Sequence, residues 1–360
     1  IISFLSTLCL IYYNLKKKLF KKIIFGSNYL KKENLIFILL IVCFFLISIL
    51  PLSDADSIAY HLNFPFRILS EGYMINDIQK NLMFSVFANN EIILTLSVLL
   101  KSDNFGSILN YIILIFFIFS QTKSKYFKMI LLSCPLLIFL ISTQKLQLAF
   151  AILFLILFIN IHERKLKSDQ EIFILCILLV FYASIKTSYI LISIPLFIYL
   201  IINYSSKIIK ILLYCSLGVL IFFAPLFLIK HNIYYNIFAP FFDNFLGNNN
   251  QIFKALEHSL KNTEGWIGNI YDYKIYFKIF IPTNLSELSA TYGLLFLILF
   301  FNYELLKKLN FFPIFIVLAI FISGQILPRY YLEAFLILAY YLPNMNVFTK
   351  MITYSQLYIM

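Results

Sequence analysis

The sequence predicts an all-α protein, a polytopic transmembrane helical bundle of about 10–11 spans. Three observations lead there. Of 360 residues, 61% are hydrophobic and 13% charged, against about half and about a quarter in soluble domains. Mean hydropathy is +0.88. The apolar residues fall in runs close to the roughly 17–25 residues that cross a bilayer as a helix. This composition excludes a soluble enzyme of one or two domains, a disordered chain and a secreted disulfide scaffold. The 41 Phe and 25 Tyr, with abundant Ile, Lys and Asn, read as an A+T-rich coding bias, so part of the aromatic excess is background.

Taken in order, the apolar runs are 34–52, 104–120, 129–143, 147–160, 172–184, 188–204, 210–229, 283–301, 311–327 and 330–342. Residues 1–13 are read as the end of one more, cut short at Ile1. No signal peptide is expected, because the first lysines follow that run. The run 89–101 is treated as a juxtamembrane or re-entrant segment, since counting it as a span would put every later basic loop outside. The connections 14–33, 121–128, 161–171, 205–210, 303–310 and 343–360 then lie inside and hold 18 of the 29 Lys+Arg, as the positive-inside rule requires. The resulting organisation is one transmembrane domain, 1–342, with juxtamembrane helices in the first of its outer loops, 53–103 and 230–282, and a cytoplasmic tail, 343–360. The expected location is a bacterial inner membrane, crossed many times.

The net charge of +12 is orientation signal and not a nucleic-acid footprint, because the lysines cluster between apolar runs. Cys9, Cys43, Cys134, Cys176 and Cys215 all sit inside apolar runs, with no CxxC and no Cys/His metal spacing, so neither disulfides nor ligands are expected. No Walker loop, GxGxxG, HExxH or GxSxG arrangement occurs. Only nine glycines argue against a transporter built from broken helices.

The informative residues are polar ones at the expected outer boundary. Asp54 and Asp56 follow the run 34–52 and lead into Tyr60, His61 and Arg67. Two carboxylates two apart can share a divalent cation, magnesium or manganese, or one can act as base while the other holds it. Capping of the amphipathic segment 57–70 by Ser53 or Asp54 accounts for one acid and not for the others. Glu91 opens the run 89–101. Lys145, Lys186, Lys230 and Arg329 come from separate connections on the same side. A ring of cations around a carboxylate pair suits a lipid-linked phosphate, while for any single lysine a snorkelling contact with headgroups is the plainer role.

With these residues in view, the chain resembles the GT-C type membrane glycosyltransferases, the group of the protein mannosyltransferases and aminoarabinose transferases. The resemblance rests on Asp56-Ser-Ile-Ala-Tyr60-His61-Leu62, Asn90-Glu91-Ile-Ile-Leu-Thr-Leu, Ser184-Ile-Lys186-Thr-Ser-Tyr189, Lys230-His-Asn-Ile-Tyr-Tyr-Asn-Ile-Phe-Ala-Pro240-Phe and Pro328-Arg329-Tyr330-Tyr331-Leu-Glu333. It departs where the group's Gly-Asn-Pro is replaced by Asn236-Ile-Phe-Ala-Pro240. It implies inverting transfer of a sugar from a polyprenyl-phosphate-linked donor to a glycan, lipid or protein acceptor at the outer face of the lipid bilayer. Asp54 would serve as base, Asp56 would position it or a metal, and Tyr60 and His61 would line the sugar site. Arg329, Lys186 and Lys145 would receive the donor phosphate. The alternatives are a polysaccharide polymerase or ligase, and a lipid-linked sugar flippase or other transporter.

Overall fold

The computed structural model describes residues 32–52, 57–71, 88–120, 125–163, 168–234, 237, 280, 288–289, 291–294, 302–322, 328–342, 351 and 355. Among the described residues every regular element is helical. The chain divides into two compact units: Ile1–Asp54 with Asp103–Ile156 and Lys278–Met360, and Ala55–Ser102 with Leu157–Phe277.

In the first unit, helix α1 (Lys32–Ile49) packs on α4 (Phe105–Ser120). Phe37 meets Phe119 edge-on at 6.2 Å, and Phe45 meets Tyr111 at 5.7 Å. Next come α5 (Lys125–Leu132) and α6 (Pro135–Ile141). Cys134 between them is extended, with φ −82° and ψ 114°, as expected of a residue whose helical conformation would clash with the following proline ring. Helix α7 (Gln147–Glu163) is buried along nearly its whole length. Late in the chain lie α12 (Tyr303–Lys308), capped by Asn302 Oδ1 accepting from the Leu305 amide at 3.0 Å, and α13 (Phe312–Ile322). A 3-10 turn, Pro328–Tyr331, leads into α14 (Leu332–Tyr341), all ten residues of which are buried. Phe117, Phe127 and Tyr340 form one aromatic cluster with ring centroids 5.5–6.4 Å apart.

A buried polar network fixes the turn 142–146 to α4. Asn110 donates to the Leu140 and Lys145 carbonyls at 3.0 and 2.6 Å and accepts from the Ala149 amide at 3.1 Å. Ser107 Oγ donates to the Thr143 carbonyl at 3.1 Å. The Gln144 side chain bridges the Gly106 amide and the Asp103 carbonyl. Asn110 and Gln144 are both fully buried, so each hydrogen bond offsets a desolvation cost that would otherwise stand uncompensated.

The second unit begins with a π-helical turn, Ser57–Leu62, followed by α2 (Asn63–Glu71) and α3 (Asn89–Leu99), which pack together. Then come α8 (Asp169–Ile185), α9 (Thr187–Asn203), α10 (Ile208–Phe222) and α11 (Ala224–Tyr234). A full capping box starts α8: Ser168 Oγ accepts from the Glu171 amide, and Glu171 accepts from the Ser168 amide, both at 3.2 Å. Connections of one residue and of four make α8–α9 and α9–α10 neighbours in space, so α8 and α10 run parallel. Their register is read from Asp169 to Lys210 at 2.5 Å, Phe173 to Tyr214 at 5.2 Å and Phe181 to Phe222 at 5.1 Å. At Gly218 the backbone of α10 comes so near α8 that an added Cβ would lie 3.0 Å from Val180 Cβ.

The all-α expectation holds among the described residues; the expectation of a polytopic bundle with about 10–11 spans does not. Among the described residues one segment, Ser205–Phe222, is long and apolar enough to cross a membrane. The other apolar helices, Phe37–Ile49, Phe105–Ser120, Gln147–Glu163, Thr187–Asn203 and Phe312–Phe321, have 10–17 residues. At 1.5 Å per residue they reach at most about 25 Å, short of a hydrocarbon core of about 30 Å. The run 129–143 is two helices broken before Pro135, and the run 210–229 is interrupted at Phe223. Burial within protein accounts for the apolar character of α7 and α14, since a helix apolar all round marks a core position as readily as a span. With the span count falls the placement as a multi-pass protein of a bacterial inner membrane. The run 1–13 lies outside the described residues, as do most of the run 283–301, of the loop 230–282 and of the tail 343–360.

Candidate functional site

Of the residues singled out by sequence, the structure gathers His61, Glu91 and Lys230 in the second unit. Each arrives on a different element: the π-helical turn, the first turn of α3 and the middle of α11. His61 and Lys230 are 7% exposed, and the Glu91 side chain is 13% exposed. His61 Nδ1 lies 3.4 Å from Glu91 Oε1.

Glu91 holds its place through the start of its own helix. Its Oε2 accepts from the Ala88 amide at 3.0 Å, and its Oε1 accepts from Asn90 Nδ2 at 3.0 Å. This is half of a capping box; Ala88 has no side-chain oxygen to supply the reciprocal half. Burial would raise the Glu91 carboxyl, but hydrogen bonding and charge from His61, with the Asn90 and Ala88 bonds, outweigh it and hold the group below its ordinary value. Lys230 is pushed down to about 8 by burial, with the charge of Glu91 acting against that shift. The Glu91 carboxylate therefore has His61 against it, and its charge reaches the buried Lys230.

Asn89 fastens the start of α3 to the ends of two other helices. Its amide nitrogen donates to Ser184 Oγ at 2.7 Å, near the end of α8, and to the Phe222 carbonyl at 3.3 Å, at the end of α10. Lys186 lies two residues beyond Ser184, in extended conformation at the start of α9, and is half-buried. Helices α3, α8, α9 and α10 thus present termini together, and orphan backbone groups concentrate there. Neither Asn89 nor Ser184 was given a role from sequence, although Ser184 heads the string Ser184–Tyr189 and the polar pair Asn89-Asn90 precedes Glu91.

The remaining candidates are placed elsewhere or not at all. Arg67 lies on α2 and is half-buried, and Tyr60 lies in the π-helical turn. Lys145 and Arg329 belong to the first unit. Lys145 is 6% exposed with Nζ 5.2 Å from the Phe139 ring centre. Arg329 is half-buried over the Tyr330 ring at 5.3 Å, and its carbonyl accepts from Gln147 Nε2 at 2.7 Å. Asp54 and Asp56, with the divalent cation assigned to them, lie outside the described residues. Lys230, expected to open an outer loop, is inside a helix instead.

Compared with models of known families, with curated proteins and with solved structures, the chain matches none. The likeness to GT-C glycosyltransferases is thereby corrected. Its motifs are short, and in a chain drawn so heavily from Ile, Leu, Phe, Tyr, Lys and Asn such strings recur by composition. Transfer of a sugar at an outer face, whether by a membrane glycosyltransferase or by the polymerase and flippase alternatives, also loses its framework, because that site required a scaffold of many spans and one segment qualifies among the described residues. Among the described residues no group of three or more His, Cys, Asp and Glu is placed to hold a metal ion.

Proposed function

We propose that this chain binds a phosphate-bearing amphiphile presented by a lipid bilayer, with the headgroup received at the His61–Glu91–Lys230 cluster. The observation that carries the reading is the convergence of these three side chains from elements far apart in sequence into one largely buried group. Burying ionisable groups costs several kcal/mol each, and such a cluster is more often kept for binding than for stability. Among the described candidates of the second unit the cations Arg67, Lys186 and Lys230 outnumber the one acid, Glu91. That balance favours an anion.

The lipid part of the reading rests on apolar side chains facing outward on the same unit. On α9, Ile194, Ile198 and Ile202 are 45–68% exposed; on α10, Ile209, Leu213 and Leu220 are 65–80% exposed. Outward apolar stripes of this extent mark lipid or protein contact.

The test is calorimetric titration of dodecyl phosphate into the purified chain in a neutral maltoside detergent. Wild type is expected to bind about tenfold more tightly than Lys230→Met, the value of one charge-assisted hydrogen bond. Glu91→Gln, which removes the competing carboxylate, is expected to bind more tightly than wild type. Equal affinity of wild type and Lys230→Met would sink the proposal.

A further inference from the structure

We propose that Cys176 and Cys215 form an oxidisable pair, able to close a disulfide that ties α8 to α10. The two are far apart in sequence and share no spacing motif, but the parallel helices bring them face to face. On α8 the residues turned to α10 are Phe173, Val180 and Phe181; Cys176 falls on the same stripe, three after Phe173 and four before Val180. On α10 the partners are Tyr214, Gly218 and Phe222; Cys215 sits three before Gly218. The pair therefore lies in the register between the Phe173–Tyr214 contact and the close approach at Gly218. The two thiols lie near enough for each to act on the other's proton. Close approach of backbones is what a disulfide needs, since its Cα atoms must come within about 7 Å.

The two cysteines differ in access, which assigns their roles. Cys215 is half-buried and Cys176 fully buried. Cys215 meets the oxidant first, and Cys176 resolves the adduct. With an azodicarboxamide oxidant such as diamide, the Cys215 sulfur adds to one nitrogen of the N=N bond, and the other nitrogen takes the proton. The Cys176 sulfur then displaces the reduced nitrogen group, which leaves with the second proton. Two thiols lose two hydrogens in all, one S–S bond forms, and the N=N bond becomes an N–N bond carrying both hydrogens. A peroxide balances the same way, yielding two waters.

The experiment treats the full chain in detergent with diamide, alkylates remaining thiols with N-ethylmaleimide under denaturing conditions and analyses the unreduced digest by mass spectrometry. The expected result is a peptide joined through Cys176 and Cys215, lost on reduction, and a Tm raised by roughly 5 °C or more by closure of the intervening loop. In Cys176→Ser the Cys215 adduct is expected to persist; in Cys215→Ser, Cys176 is expected to be recovered alkylated by maleimide. Recovery of both wild-type cysteines as maleimide adducts, or their capture by other cysteines, overturns the proposal without depending on any variant folding. The inference stands apart from the headgroup reading.

Discussion

Lys230 shows how far a single residue could be read in advance. A lysine at the edge of an apolar run was legible as a candidate, but its burial within reach of the Glu91 charge was not, because nothing local links positions that distant. That burial has a measurable consequence. Folded, Lys230 gives up its proton near 8; unfolded, it keeps it to about 10.5. Between these values the unfolded chain binds more protons, so stability rises with pH, by on the order of 3 kcal/mol in total. Unfolding followed at pH 7 to 10 is expected to show this gain in wild type and to lose it in Lys230→Met; parallel curves would refute the assignment. Glu91 acts in the opposite range. Its carboxyl is held below the ordinary value, so its contribution is full above about 4.5 and is lost as pH falls further.

Some helix limits carry a local signal that the apolar runs passed over: Ser168 with Glu171 marks the start of α8, and Pro135 the break between α5 and α6 that divides the run 129–143. The pairing of elements carries no such local signal. The junction of α4 with the turn 142–146 depends on Gly106, where a Cβ would fall 2.2 Å from Gln144 Oε1 and 2.5 Å from its carbonyl oxygen. Backbone cannot yield there as a flexible side chain could. Gly106→Ala is therefore expected to cost about 2–3 kcal/mol, as overpacking does, and to lower the Tm measured by differential scanning calorimetry. An unchanged Tm would show that the turn is not clamped in this way. Hydropathy foresaw neither Asn110 nor Gln144, since both are polar residues that only a folded turn buries.

For the whole molecule, the high apolar content leaves large side chains uncovered: α1 exposes Leu39 and Leu46 at 61% and 51%, Leu50 just beyond it is 58% exposed, and α13 exposes Phe321 at 70%. If lipid covers these faces, withdrawal of detergent should convert a single species into high-mass aggregates in size-exclusion chromatography. A monodisperse chain in detergent-free buffer would remove the lipid reading. The sequence by itself determined the helical class and most of the described helix positions, because hydropathy runs act within a few residues. Only the tertiary structure decided that α7 and α14 are apolar through burial in protein, that His61, Glu91 and Lys230 meet, and that Cys176 faces Cys215. Periodicity reports that a face is hidden from water and is silent on what hides it, and side chains distant in sequence come together only once the helices have packed.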